Sequence, residues 1–226
     1  MAGIIAPNII TDDLIFYVDA ANTKSYVSGS TIWNTLAQQP FSASLENGPT
    51  YSPNNSGILI FDGTNDFCAT NFVGTFTSIT INTWFYRNGN QPSQYSGLVA
   101  SRGGSGGNTT GLLLNIAGNE SLGYNWNDQA NTYSWNSGLV LTDQAWNFLS
   151  LIVAPTYAIG FLNGVTATNS VTHTFATNLR NLAIGKDYAT ERRVRGSIGS
   201  VSIYNRALSV EEVSQIYNTT KTRYGL

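Results

Sequence analysis

The sequence is poor in charge. Only 11% of its 226 residues are Asp, Glu, Lys or Arg, where about 25% is usual in soluble chains. Its surface must therefore be wetted by neutral polar groups, which Asn, Thr and Ser supply. The 11 basic and 13 acidic residues leave a formal net charge of −2. That balance argues against a nucleic-acid partner, which needs a basic stripe. A single cysteine, Cys68, excludes an intrachain disulfide and any cysteine-cluster metal site. No run approaches the roughly 18 apolar residues needed to span a bilayer, so no membrane insertion is expected. The opening Met1–Ile10 lacks a basic n-region and is interrupted by Pro7. It is read as no secretion signal, which points to synthesis in a reducing cytoplasm. Asn-x-Ser/Thr triplets begin at Asn54, Asn108, Asn119 and Asn218; in a chain so rich in these residues they are chance matches.

What is present is apolar and aromatic. Hydrophobic residues make up 42% and aromatic residues 12% of the chain, enough for a large core and too much for wholesale disorder. Short apolar segments recur between Gly- and Asn-rich turns: Leu14–Val18, Ile58–Phe61, Ser78–Tyr86, Leu112–Ile116, Phe148–Val153 and Tyr157–Phe161. From Ser78 the pattern alternates, with Ile79, Ile81, Thr83 and Phe85 on one side and Thr80, Asn82, Trp84 and Tyr86 on the other. Asn163-Gly164 is a strong signal for a type I′ hairpin, with Val165–Thr168 as the return strand. Many short strands with almost no helical period mean an all-β sandwich or jelly roll. No composition break marks a second domain, so residues 1–226 are read as one, with residues 1–12 as an extended N-terminal arm. One helix is specified, at the C-terminus. Ser209-Val210-Glu211-Glu212 is a capping box, and Val210, Val213, Ile216 and Tyr217 form an apolar stripe. That helix is expected to pack on the sandwich edge.

Several segments resemble the concanavalin A-like lectin/glucanase superfamily in its laminin G-like branch. They are Ile60–Phe67, Ile79–Trp84, Trp146–Phe148, Phe161–Val165, Leu182–Gly185 and, most specifically, Gly196–Ser209 with the Glu-Glu helix behind it. The resemblance implies a two-sheet antiparallel jelly roll with one short C-terminal helix. The ends, Ile10–Ala20 with Asn22–Tyr26 and the closing Arg223–Leu226, are similar to such domains in tailed-phage virion proteins. This likeness implies a non-enzymatic component of a virion surface, a capsid decoration or cement protein held by other virion proteins or by copies of itself. The alternative is a tail adhesin that recognises host glycans.

Glucanases of this superfamily carry Glu-x-Asp-x-x-Glu on one strand, which sets an acid and a nucleophile on one face. Here Glu46, Glu120 and Glu191 are isolated and Glu211-Glu212 opens a helix, so no catalytic residue is assigned. Gly103–Gly107 matches Gly-x-Ser-x-Gly in form. The following residues read as a strand rather than the helix a nucleophile elbow needs, so a hairpin loop is the preferred reading. The one histidine, His173, reads as a strand residue at the surface.

Three constellations remain. Asp62 and Asp66, in Asp-Gly-Thr-Asn-Asp, could offer oxygen ligands to Ca²⁺. Relatives often carry an acidic residue where this chain has Ser200, and side chains bonding their own turn are the preferred reading. Tyr124-Asn125-Trp126 and Tyr133-Ser134-Trp135, joined across Asn127–Asn131, could form a hairpin whose four rings stack on sugars. Asn125, Asn127 and Asp128 would then be hydrogen-bonding partners, and packing of the rings against each other is the preferred alternative. Lys186, Arg192, Arg193 and Arg195 concentrate basic charge in ten positions. They read either as a docking patch for an acidic partner or as a solvated loop.

Overall fold

In the computed structural model, residues 9–102, 108–115, 120–173, 176–187 and 192–226 are described. The first strands are β1 (Leu14–Asp19), β2 (Ile32–Asn34), β3 (Ser42–Glu46), β4 (Thr50–Ser52), β5 (Ile58–Asp62) and β6 (Phe67–Thr70). There follow β7 (Gly74–Phe76), β8 (Ile79–Arg87), β9 (Ser96–Arg102), β10 (Thr109–Asn115) and β11 (Ser121–Asn125). A helical turn, α1 (Ala130–Tyr133), precedes β12 (Trp146–Ala154), β13 (Tyr157–Leu162) and β14 (Val165–Asn169). The chain closes with β15 (Thr177–Leu179), β16 (Ala183–Ile184), β17 (Arg195–Tyr204) and α2 (Val210–Thr220).

Two antiparallel sheets face one another. One is ordered β14-β13-β12-β8-β17-β5-β4, with β1 also pairing β17; the other is ordered β11-β10-β9-β16-β6-β3-β2. The alternation along β8 is realised in this sandwich. Ile79, Ile81 and Phe85 enter the core between the sheets, where they meet Leu112, Leu114, Val99, Ile184 and Cys68 from the second sheet. Cys68 is fully buried, and burial pushes its thiol up out of the ordinary range. The hairpin at Asn163-Gly164 has φ of 49° and 100°, the left-handed pair that a type I′ turn demands.

The C-terminal helix is capped as its sequence requires. Glu212 N donates to the Ser209 hydroxyl, while Ser209 N donates to the Glu212 carboxylate at 2.8 Å. The helix does not lie on the sandwich edge. It covers the outer face of the first sheet, where Val213, Ile216 and Tyr224 bury Trp84, Phe148 and Tyr204 in a second core. Trp84 stacks on Tyr224 with centroids 4.2 Å apart and donates its Nε1–H to Thr220. The outward side of β8 thus carries a tryptophan because a helix seals it. The N-terminal segment joins the same layer: Ile10 packs there and its carbonyl accepts from the Tyr204 hydroxyl at 2.8 Å.

The result is three layers: helix, first sheet, second sheet. α2 packs on the first sheet only, while the short α1 adjoins β11, an end strand of the second sheet.

Candidate functional site

On the outer face of the second sheet a cleft of about 260 Å³ is lined by Tyr95, Arg102, Leu113, Asn125, Asp128, Tyr133 and Arg192. Its floor follows from strand periodicity. Leu112 and Leu114 point into the core, so Leu113 between them points out. On β11, Leu122 and Tyr124 point inward and Asn125 outward.

The rim is built by the turn after β11. Asn127 and Asp128 adopt left-handed φ of 52° and 55°, conformations that Asn and Asp tolerate. Asn125 Nδ2 donates to Asp128 Oδ1 at 2.8 Å, and Asp128 N donates back to Asn125 Oδ1 at 3.0 Å. Trp126 N donates to Thr132 Oγ1 at 3.0 Å, and that hydroxyl donates to Gln129 O at 2.7 Å. These bonds turn the chain into α1 and leave Tyr133 37% exposed at the rim.

The opposite wall comes from a ridge. Lys186 and Arg193 form an antiparallel bridge, and Asp187 N donates to Arg192 O at 2.9 Å. This ridge crosses β9 at Gly97, where a Cβ would collide with the Asp187 amide. The Arg192 guanidinium lies 5.0 Å from the Tyr95 ring centroid and pairs with the fully buried Asp187 carboxylate at 2.7 Å. The cleft thus presents tyrosine faces, guanidinium donors, a fixed amide and a carboxylate over an apolar floor. That set can stack on a sugar ring and hydrogen-bond its hydroxyls.

The structure gathers four of the residues singled out in the sequence, Asn125, Asp128, Tyr133 and Arg192, but not as a four-ring platform. Tyr124 and Trp126 are each 1% exposed and lie in the main core. Trp135 is half-buried and meets Tyr124 edge-on at 5.6 Å. No hairpin joins the two aromatic pairs, because the chain enters α1 instead. Tyr95, Arg102 and Leu113 were missed. For Leu113 the signal is the two-residue period, which places it opposite Leu112 and Leu114.

Asp62 Oδ1 accepts from Thr64 N and Asn65 N at 2.7 and 3.2 Å, and Asp66 Oδ2 accepts from Asp62 N at 3.0 Å. These are turn-stabilising bonds. Partial burial opposes them, yet the amides hold the Asp62 carboxyl below its ordinary range. Among the described residues no group of three or more His, Cys, Asp or Glu is placed to hold a metal. The four cations do not form one patch. Consecutive residues of an extended ridge point to opposite sides, so Arg192 faces the cleft while Lys186 and Arg193 lie over Phe67. Arg195 is exposed on β17, opposite Asp62 of β5. His173 is buried rather than at the surface. Its Nδ1 bonds Ala154 O at 2.7 Å and its Nε2 lies 3.1 Å from the Tyr124 hydroxyl. Gly103–Gly107 and Glu191 lie outside the described residues.

Among curated proteins no sequence matches the chain. Solved structures do match in fold. Domain 4 of AbnA, a GH43 extracellular arabinanase from Geobacillus stearothermophilus solved with arabinotriose, superposes with a TM-score of 0.66 at 13% identity. That match covers 93% of this chain and 100% of the arabinanase domain. Trypanosoma rangeli sialidase matches with a TM-score of 0.68 at 15% identity, over 98% of this chain and 37% of the sialidase. The binding domain of botulinum neurotoxin serotype D matches with 0.67 at 13% identity, over 92% of this chain and 52% of that one. The chain spans about a third of the sialidase chains it matches. The family model described as Laminin_G_3, concanavalin A-like lectin/glucanases superfamily, matches residues 61–214, more than half of the sequence. On that match and the two-sheet jelly roll, the chain belongs to the concanavalin A-like lectin/glucanases superfamily.

Proposed function

We propose that the protein is a non-catalytic, lectin-like module that binds an oligosaccharide in the cleft of the second sheet. The observation that carries this reading is the cleft's chemistry: Tyr95 and Tyr133 with the Asn125–Asp128 pair above Leu113, on the sheet that α2 does not cover. The arabinanase domain solved with arabinotriose, which this chain matches along that domain's whole length, supports it. Asp128 is the one carboxylate among the residues lining the cleft, whereas glycoside hydrolysis by the common routes needs a facing pair. A decoration role held by a basic docking patch has less support, because Lys186 and Arg193 are separated from Arg192 and Arg195. The likeness of the chain ends to phage virion domains supports display of the module on a particle, where glycan binding would serve attachment.

The test is retention on a glycan array by the wild-type protein and by Tyr133→Ala. Tyr133 lies outside the core, so the variant keeps its melting temperature and loses retention by tenfold or more. Retention unchanged in Tyr133→Ala, or no glycan retained by the wild type, overturns the reading.

A further inference from the structure

Residues 144–179 contain no Asp, Glu, Lys or Arg. They supply β12, β13 and β14, and β14 ends the first sheet. That last strand reads Val165-Thr166-Ala167-Thr168-Asn169 and pairs with β13 alone. An edge strand carries a row of unpaired N–H and C=O groups, and proteins ordinarily guard it with charge, proline, a bulge or a covering loop. β14 holds neither charge nor proline, and its register with β13 runs without a bulge. The other edges are treated differently. At β11, Leu122 N donates to Leu139 O and Ser121 bridges Val140. At β2, Asn34 N donates to Ser25 O, and at β1, Leu36 N donates to Tyr17 O. β4 is three residues long and runs into Pro53.

The hairpin geometry says which groups of β14 face outward. A two-residue type I′ loop closes on Leu162 and Val165, whose backbone groups bond each other. Alternation along an antiparallel pair then turns Ala167 and Asn169 toward β13 as well, and aims the N–H and C=O of Thr166 and Thr168 away from it. Among the described residues, these four groups meet no backbone partner. Both threonine side chains are exposed, so α2 does not overhang the edge.

We infer that β14 is the surface through which two copies of this chain join, antiparallel, about a two-fold axis at Ala167. In that register Thr166 N–H donates to Thr168 O of the second copy, and Thr168 N–H donates to its Thr166 O. The symmetry repeats both bonds, so every outward group of both strands is used. Val165, 60% exposed in the single chain, comes to lie opposite Asn169 of the second copy. Two features select a second copy over a foreign segment. The strand is uncharged on both sides of the axis, so like meets like without repulsion. A captured peptide is recognised by pockets that read its alternate side chains, whereas neither the sugar cleft nor the grooves at Thr11–Gln39 and Phe67–Lys186 are lined by a β14 residue. The contact is isologous and closes at two copies, because each chain uses its own β14 edge in it. The inference is independent of what the cleft binds.

Sedimentation equilibrium of the full chain over a micromolar concentration series tests it, with a dimer mass expected for the wild type. Thr166→Lys combined with Thr168→Lys sets lysines opposite each other across the axis. Both positions are exposed, so this variant should keep its far-UV circular dichroism and sediment as a monomer. Thr166→Pro removes one outward donor and should weaken the dimer tenfold or more; the lysine pair carries the test if the proline variant does not fold. Thr50→Lys, on the β4 edge, should leave the dimer intact. Amide exchange gives a second readout, with Thr166 and Thr168 protected in the wild type and fast in the lysine pair. A wild type that is monomeric throughout, or a dimer that survives the lysine pair, overturns the inference. So does a dimer lost in Thr50→Lys, or a mass that climbs past two copies.

Discussion

Acidification should destabilise this protein through one buried histidine. His173 Nδ1 bonds the Ala154 carbonyl, which can only accept, so Nδ1 carries the proton. Nε2 then accepts from the Tyr124 hydroxyl, whose oxygen in turn accepts from Asn169 Nδ2 at 3.0 Å. The network is complete with a neutral imidazole. Burial lowers the folded-state value below the ordinary 6.5, although the Ala154 carbonyl pulls the other way. The unfolded chain therefore binds a proton that the native state refuses. Stability is full above pH 6.5 and falls as pH drops below it toward the folded value. One proton sets a ceiling of about 1.4 kcal/mol lost per pH unit, so at most about 1.4 kcal/mol disappears between pH 7.5 and 5.5. Urea unfolding at those two pH values measures it, with His173→Gln as the control that flattens the slope. Stability that is flat or rises on acidification in the wild type would refute the neutral-histidine network.

Four further outcomes follow from the packing and the ridge. Trp126→Ala removes a side chain 1% exposed in the main core; it should cost about 3–5 kcal/mol, seen as a large drop in thermal midpoint rather than a selective loss of binding. Arg223 donates to Asp19, to Asn55 O and to Gly57 O. Arg223→Met should therefore destabilise by about 3 kcal/mol in urea titration. Gly97→Ala pushes the Asp187 amide off β9, so glycan affinity should fall at least tenfold as Arg192 leaves Tyr95. Display on a phage particle is checked by quantitative mass spectrometry of purified virions; absence of the chain from particles would remove that part of the proposal.

Much of the fold was legible because its signals are local. The Asn163-Gly164 turn and the Ser209–Glu212 box are chemistry within four residues, and both formed as read. The seat of α2 was not legible. Its stripe of Val210, Val213 and Ile216 says that one face is buried, but the covering residues Trp84, Phe148 and Tyr204 come from three separate strands. The site shows the same division. Asn125, Asp128, Tyr133 and Arg192 could be noticed singly, yet their meeting depends on β11-β10-β9-β16 lying side by side. The aromatic platform failed for a narrower reason. A period of two places Tyr124 and Trp126 on one face without saying whether that face is the core or the solvent, and here it is the core.

The central claim is that the outer face of the second sheet binds sugar at Tyr95, Asn125 and Tyr133. Chemical-shift mapping of the ¹⁵N-labelled protein with an oligosaccharide retained on the array addresses it most directly. The account predicts saturable shifts centred on Tyr95, Leu113, Asn125, Asp128 and Tyr133, with the α2 face undisturbed. Shifts centred on α2 or on the β2 and β4 edges, or none at millimolar sugar, would contradict it.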